Sequence, residues 1–582
     1  MKTTKRLRVG LIELPATVDG RLGGKLARDV YSLFRFPARG IPLLTGILRR
    51  EGYDPVAINP KYNRHKGRFS QEEFRALASC DVVGISVITR TAFQSYELAA
   101  LLKEANPQIT IIFGGPHTTT LPEEALQYGD IVVLHEGDLT IGEVMERLED
   151  HTTQPHLDDV PGIVFKRPDG EIVYTAKRPF LTTEQLSALP FPEFTPEELK
   201  GISHNVITTA RGCPYRCDFC DVIVNFGGQF RFMDDDSTIE LIKYVTRLKR
   251  IPIFFGDDIF TANKRRTKRI LERILSEGIN MPRWAHQDRV ESARDPELLA
   301  LKKRANCHYV MLGLESINPA TLKLYNKHAT LERNIEAVEA YHRAGIKVHG
   351  MFVLGSDADT RETIRETVRW AKKMKLESAQ FFALTAVPGP PLSQRLEREG
   401  RILSTQWHLF DAQHAVVRPA RMTPWELQEG IFSASLDFYS YKEAFRLLLN
   451  SRHRWFNFLI RIQGRMLSKQ IIKDSREYQA ALQQLDAWHS AVQHSLEQWR
   501  KRLDHLMNDV TVSVEEKRAQ LEQHMSDMMQ KLRESHTMIN EQFRPYCKRV
   551  IDDLLTKIHD SFHQATASGS LMDAREPQTE AL

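Results

Sequence analysis

Three of the chain's six cysteines, Cys213, Cys217 and Cys220, sit in the stretch Arg211-Gly-Cys-Pro-Tyr-Arg-Cys-Asp-Phe-Cys220 at the spacing C-x3-C-x2-C. A disulfide framework is a poor account of them. The number is odd, and no signal peptide is expected of this long chain. Three thiolates on one short loop suit a metal. Zinc wants a fourth ligand and usually a second C-x-x-C or an H-x3–5-H nearby. Only His204 lies close, on the far side of a strand. An iron–sulfur cube accepts cysteine thiolates, and three of them leave one iron open for a substrate or cofactor. A cluster with an open iron is the favoured reading, with zinc or unrelated thiols as its rivals.

Other residues have the chemistry to serve such a centre. Phe254-Phe-Gly-Asp-Asp-Ile-Phe260 puts two carboxylates side by side; they either accept hydrogen bonds from an ammonium or a ribose, or cap the next helix. Gly313-Leu-Glu-Ser316 ends another apolar run. Further upstream lie the loops Ser86–Thr91, Gly114-Gly-Pro-His117 and His135-Glu-Gly-Asp138. Gly114 and Gly115 would let backbone approach a bulky ligand, or would simply make a tight turn.

The elements that position these residues alternate. Strands are expected at 7–14, 56–59, 81–88, 109–113 and 131–134, with helices at 43–51 and 93–105 between them. This alternation argues for a parallel, doubly wound (Rossmann-like) sheet, whose ligands lie at the carboxyl ends of the strands. A connector, 151–200, holds a hairpin around Pro168-Asp-Gly170. From Val206 six more strands are expected, at 206–209, 252–256, 283–286, 309–314, 348–354 and 378–383. They suggest a partial (β/α)6 barrel of the TIM type, again with its site at the carboxyl ends. The loop of residues 387–392 would close its mouth. Cys80 and Cys307 flank apolar strands and read as small buried residues.

The cysteine loop resembles the signature of the radical S-adenosylmethionine (SAM) superfamily, in its spacing, in the aromatic Phe219 before the last cysteine and in the preceding Arg211-Gly212. The resemblance implies a [4Fe–4S] cluster on Cys213, Cys217 and Cys220 whose open iron chelates SAM. Reductive cleavage then yields a 5′-deoxyadenosyl radical, with the electron supplied by a donor such as flavodoxin or ferredoxin. It also implies that Phe219, Asp257 or Asp258, Gly313, Glu315 and Ser316 face SAM. The first 150 residues resemble the cobalamin-binding domain of one large radical SAM class, through the G-G-x-H and E-G loops and the P-x-x-G-x-x-x-L start at Pro37. Cobalamin would then meet Ser86, Thr89, Gly114, Gly115, His117, Glu136 and Gly137. The D-x-H-x-x-G motif of cobalt-ligating histidines is missing at 59–67, so cobalamin is expected without a protein histidine, and His65 is read as a surface residue. Residues 406–440 resemble lipid-acting members such as hopanoid methylases.

The expected organisation is a cobalamin-binding domain (1–150), a connector (151–200), a radical SAM barrel (201–400), a family segment (401–475), a helical bundle or coiled-coil extension (476–567) and a polar tail (568–582). Tyr478, Leu482, Leu485, Val492, Leu496, Trp499 and Leu503 keep helical spacing, as do Leu521, Met525, Met528 and Leu532; Pro545 would kink the last helix. Hydrophobic content of 42%, charged content of 27% and a net charge of +5 are ordinary and do not argue for nucleic acid. No apolar run approaches the roughly 18 residues of a membrane span, so a cytoplasmic enzyme is expected. Within residues 441–473 basic and aromatic residues interleave, which fits either a helix docked on an anionic membrane or one packed on the barrel with a solvated basic face. The expected reaction is methyl transfer to an unactivated carbon of a lipid or other hydrophobic molecule. Carbon–carbon coupling, ring closure or oxidation are the alternatives, and a cobalamin sensor with a structural cluster is the rival outside enzymology.

Overall fold

The computed structural model describes residues 6–29, 35–63, 67–150, 156–451, 453–508, 513–535 and 539–567. The expectations for His65, Arg452 and the 568–582 tail lie outside them, as do the side chains of Leu503, Leu521, Met525 and Leu532.

The first sheet is built from β1 (Val9–Glu13), β2 (Val56–Ile58), β3 (Val82–Ser86), β4 (Thr110–Gly114), β5 (Ile131–Val133), β6 (Ile163–Lys166) and β7 (Ile172–Tyr174), in the order β2-β1-β3-β4-β5-β6-β7. The first five strands are parallel. Helices cover both faces, so strands such as Val9-Gly-Leu-Ile-Glu13 are apolar on both sides. The order reverses between β1 and β3, which places the ligand crevice outside their carboxyl ends. The hairpin β6–β7 does not stand apart as a connector. It pairs antiparallel with β5 and carries the first sheet to Tyr174.

The second sheet curves into a partial barrel of six parallel strands: β8 (Asn205–Ile207), β11 (Ile253–Phe255), β12 (Trp284–Asp288), β13 (Cys307–Glu315), β14 (Lys347–Leu354) and β15 (Ser378–Ala383). A ribbon of β9 (Ala210–Arg211) and β10 (Arg231–Phe232) frames the cysteine loop. The helices that follow five of the barrel strands begin at Asp234, Asn263, Asp295, Thr330 and Thr360, each accepting a bond from the backbone N–H three residues on. These caps fix the loops at the barrel's carboxyl end. Inside, Val206, Phe254 and Met311 form an apolar floor with Ala285, Met351 and Phe36; the last reaches in from the first domain and stacks on Phe254 at 4.9 Å.

Thr423 opens the helix Pro424–Phe438 with a full capping box. The helix Arg454–Asp474 packs on the barrel. Its buried Arg461 donates to the carbonyls of Phe438 and Leu376, and Phe456 lies under the Lys347 ammonium. The last three helices are Arg476–Asn508, Val514–Ser535 and Arg544–Ala567. Tyr478, Leu482, Leu485 and Val492 are buried with Phe543 and Tyr546 in a core continuous with the barrel. Pro545 does not kink the last helix. It lies in the first turn, where its missing N–H costs nothing.

Candidate functional site

The cysteine loop leaves β8 at the carboxyl end of the barrel, and Asp257 holds its entrance. The Asp257 carboxylate is fully buried and accepts from the N–H of Thr209 (2.5 Å), the N–H of Ala210 (3.0 Å) and the Thr209 hydroxyl (2.7 Å). It is therefore a brace under the loop rather than a group facing SAM, and the helix after β11 is capped by Asn263 instead. Asp258 next to it is half-buried. Burial pushes its carboxyl up to about 6, against the opposing pull of the Arg39 guanidinium.

The three cysteines are partly buried on this loop. Burial pushes the Cys213 thiol up and the Cys220 thiol up to about 12. Thiols in such surroundings ionise when a cation arrives, as metal ligands must. Among the described residues no three of His, Cys, Asp and Glu converge on one ion position; a cluster binds its thiolates to separate irons and does not require that. Arg289, one residue past β12, donates to the Cys217 sulfur at 3.6 Å and lies 3.8 Å above the Tyr215 ring. A thiolate set on one loop, with a cationic donor aimed at it, fits an iron–sulfur cluster.

The remaining candidates around β13 separate. Phe219 is half-buried against Tyr325, ring centroids 5.0 Å apart. Glu315 adopts a left-handed φ of 58°, and its carboxylate accepts from Lys327 at 2.6 Å. A side chain at Gly313 would meet that pair at 2.6 and 2.9 Å, so this glycine makes room for the ion pair. Ser316 is fully buried. Its hydroxyl accepts from the Asn318 N–H at 3.0 Å, and Asn334 donates to its carbonyl at 3.2 Å. It starts a turn and is closed to a ligand.

The cobalamin candidates also divide. Ser86 and Gly114 end β3 and β4, and Thr89, Gly115, Glu136 and Gly137 lie in the loops that follow β3, β4 and β5. The Ser86 hydroxyl donates to Glu13 at 3.1 Å across the crevice between β1 and β3. A Cβ at Gly114 would meet nothing closer than the Val133 carbonyl at 4.0 Å, leaving an open cradle that fits a bulky ligand. Gly115 is different: at φ 106° its Cβ would lie 2.6 Å from the Val87 carbonyl, so it makes the strand-to-helix turn. The His117 ring is buried and paired with Glu124 at 3.2 Å, against Trp407. Glu136 is buried too, between Arg211 and Arg231. Its side chain joins the two sheets and is not presented to a ligand.

Arg211 and Arg39 are among the residues that bring the rims of both sheets together. Arg211, at the start of the cysteine loop, binds Asp138 with two parallel hydrogen bonds and also reaches Glu136 at 3.2 Å. Arg39, just before the helix Gly40–Arg50, donates to the Gly256 carbonyl beyond β11 at 2.8 Å. Its charge opposes the burial that raises Glu13, Asp221 and Asp258. Arg39, Glu13, Lys327 and Arg289 were not singled out by sequence. The available signal was position: a charged residue at a strand's carboxyl end or in the loop after it.

The chain matches the Radical SAM superfamily over residues 207–371 and the B12 binding domain over residues 30–145. It is 29% identical over 368 residues to an uncharacterized methyltransferase of Pyrococcus horikoshii, spanning 62% of this chain and 78% of that protein. To the hopanoid C-3 methylase of Methylococcus capsulatus it is 26% identical over 400 residues, 67% of this chain and 73% of that one. The fold matches the cobalamin-dependent S-adenosylmethionine radical enzyme OxsB, with aqua-cobalamin and S-adenosylmethionine bound, at a TM-score of 0.59 and 16% identity, over 94% of this chain and 84% of that one. The chain combines a radical SAM domain with a B12-binding domain and is a radical SAM enzyme whose cofactors are a [4Fe–4S] cluster, SAM and cobalamin.

Proposed function

We propose that this enzyme transfers a methyl group to an unactivated carbon of a lipid or other hydrophobic molecule. The observation that carries the reading is the clamp of Arg211 on Asp138 and Glu136, which presses the cysteine loop against the rim of the cobalamin domain. When bound, the cluster with SAM supplies a hydrogen-abstracting carbon radical, and cobalamin supplies the methyl group. Cys213, Cys217 and Cys220 hold the cluster, Phe219, Asp258 and Glu315 line the SAM side, and Ser86, Thr89, Gly114 and Gly137 border the cobalamin side. Asp257 keeps the cysteine loop in place from below. The apolar floor of Val206, Phe254, Met311 and Phe36 suits a hydrocarbon and excludes water from the space beside it. The similarity to hopanoid methylases supports a lipid. Such a substrate resides in membranes, so a peripheral membrane contact belongs to the same reading, as does a flavodoxin- or ferredoxin-type electron donor.

The test has two arms. Reconstituted protein given SAM, methylcobalamin and reductant should release 5′-deoxyadenosine, and none is expected from the Cys217→Ala variant. Lipid extracts of cells with and without the protein, compared by mass spectrometry, should differ by a species 14 mass units apart, the roughly one-carbon increment of a methyl for a hydrogen. Deoxyadenosine without any methylated product would overturn methyl transfer; a methylated polar product would overturn the lipid assignment.

A further inference from the structure

Among the described residues, the most exposed large apolar side chains lie on the two helices that follow the family segment, Tyr441–Asn450 and Arg454–Asp474. Leu449 is 76% exposed, Trp455 70% and Met466 64%, and Tyr441, Phe445 and Leu459 are also exposed. Their spacing explains this. Tyr441, Phe445 and Leu449 recur every four residues on one helix, and Trp455, Leu459 and Met466 share a face on the next. The two stripes join through Phe458, whose ring lies 5.4 Å from Phe445 and 6.4 Å from Trp455. The opposite faces are committed to the protein: Ala444, Leu447, Asn457, Arg461 and Leu467 are buried.

Within residues 441–473 the exposed charge has one sign. Lys442, Arg454, Lys469 and Lys473 are exposed, and Lys469 and Arg465 reach over the Tyr441 ring at 5.7 and 4.8 Å. The one acid between 441 and 473, Glu443, is buried and paired with Arg446. A second copy of this face would set cation against cation, which disfavours self-association. An anionic surface is complementary to it.

We propose that these two helices form a docking surface for an anionic lipid bilayer. Trp455, Leu459, Leu449 and Phe445 enter the boundary between headgroups and acyl chains, and the lysines and arginines around them meet phosphates. The patch lies beside the amino ends of β13 and β15, since Arg461 is bonded at Leu376 and Phe456 lies against Tyr309. It therefore tethers the barrel by the end away from the cysteine loop. Docking does not depend on which molecule is methylated, and it is measured without turnover.

The experiment is co-sedimentation of the full-length protein with vesicles of phosphatidylcholine alone or mixed with phosphatidylglycerol. Binding is expected only with the mixed vesicles and should weaken with added salt. Lys469→Glu with Lys473→Glu should lower it at least about 30-fold, from roughly 1 kcal/mol per basic residue removed near the surface. Trp455→Ser with Leu459→Ser should abolish it, with unchanged circular dichroism because both side chains are exposed. Equal binding to both vesicle types, or binding indifferent to both double variants, would overturn the proposal. So would a dimer in light scattering that dissociates on Trp455→Ser, since a second copy would then cover the face.

Discussion

Arg211 and Asp138 form a two-pronged ion pair, with guanidinium nitrogens 2.6 and 2.8 Å from the carboxylate oxygens, between the cysteine loop of one sheet and the third rim loop of the other. Both side chains are nearly buried, and Glu136 and Arg231 extend the pair into a four-membered network. Removing one partner of a buried pair leaves an uncompensated charge and costs about 3–5 kcal/mol. Asp138→Ala should therefore lower the unfolding free energy by that order. Burial raises the Asp138 carboxyl, but the Arg211 guanidinium more than offsets this and holds it below the usual range. A depressed carboxyl contributes stability above its unfolded value, about 3.9, and loses it as pH falls further. The wild-type contribution should persist to about pH 4 and fade below it, and Asp138→Ala should flatten that part of the stability profile.

Cys213→Ala, Cys217→Ala and Cys220→Ala should each abolish the visible absorbance of the reconstituted cluster and reduce bound iron to background. Cys80→Ala and Cys307→Ala should retain it. Cys80 and Cys307 are buried in the two cores, so these controls cost stability instead, at the lower end of large-to-small substitutions, about 1–2 kcal/mol. Full iron content in Cys217→Ala would remove that cysteine from the ligand set.

Asp288, at the end of β12, is buried and accepts from Lys302 (2.9 Å), Tyr341 (2.9 Å) and Ser292 (2.7 Å). Lys302→Met strands this carboxylate and should destabilise the protein by about 3–5 kcal/mol. Adding Asp288→Leu should recover much of the loss, because an apolar pair of similar volume replaces the ion pair. A double variant no more stable than the single one would mean that Tyr341 and Ser292 need the carboxylate as much as Lys302 does.

The sheets were legible because parallel strands covered on both faces are short apolar runs, and Val9–Glu13, Val82–Ser86 and Tyr309–Leu314 have little else in them. The cysteine loop was legible because its ligands are local in sequence. What sequence hid was the pairing of distant residues. Glu136 and Asp138 looked like ligand-loop acids, yet their partners, Arg211 and Arg231, lie 73 to 95 residues away. Asp257 and Asp258 are neighbours with opposite surroundings, one bonded to the loop backbone and one open toward Arg39, and only three-dimensional placement separates them. Arg461 reads as one more surface arginine in a basic segment but is buried over Phe438. The loop of residues 387–392 gives a further case: Leu392 donates its N–H to the Asp218 carbonyl, so this segment is tied to the cysteine loop itself.

Histidine should play no part in holding cobalt. His117 is occupied by Glu124, and the His135 ring packs on Phe180 with centroids 5.4 Å apart. Electron paramagnetic resonance of the full-length protein with Co(II) cobalamin should lack nitrogen splitting from a protein imidazole. His117→Ala should leave the spectrum unchanged while lowering stability, since it empties the buried space that the ring fills beside Trp407. Splitting that disappears in His117→Ala or His135→Ala would identify a ligand where this arrangement has none.

Arg289 should set the reduction potential of the cluster. Its guanidinium donates to the Cys217 sulfur at 3.6 Å and to the Lys327 carbonyl at 2.5 Å, and its backbone N–H donates to Asp288 at 2.9 Å. The side chain is thus held from both ends. Reduction adds negative charge to a cluster, and a cationic donor at a ligand sulfur favours that state. Glu291, 3.1 Å from the same guanidinium, offsets part of the effect. Arg289→Met should lower the midpoint potential by roughly 60 mV, the one-electron equivalent of about 1.4 kcal/mol. Arg289→Lys, which retains charge but not the fork, should fall between the two. Potentiometric titration followed by paramagnetic resonance reads this directly, with iron content measured in parallel. A normal potential in fully loaded Arg289→Met would leave the arginine as a strut between β12 and the cysteine loop, without influence on the electrons.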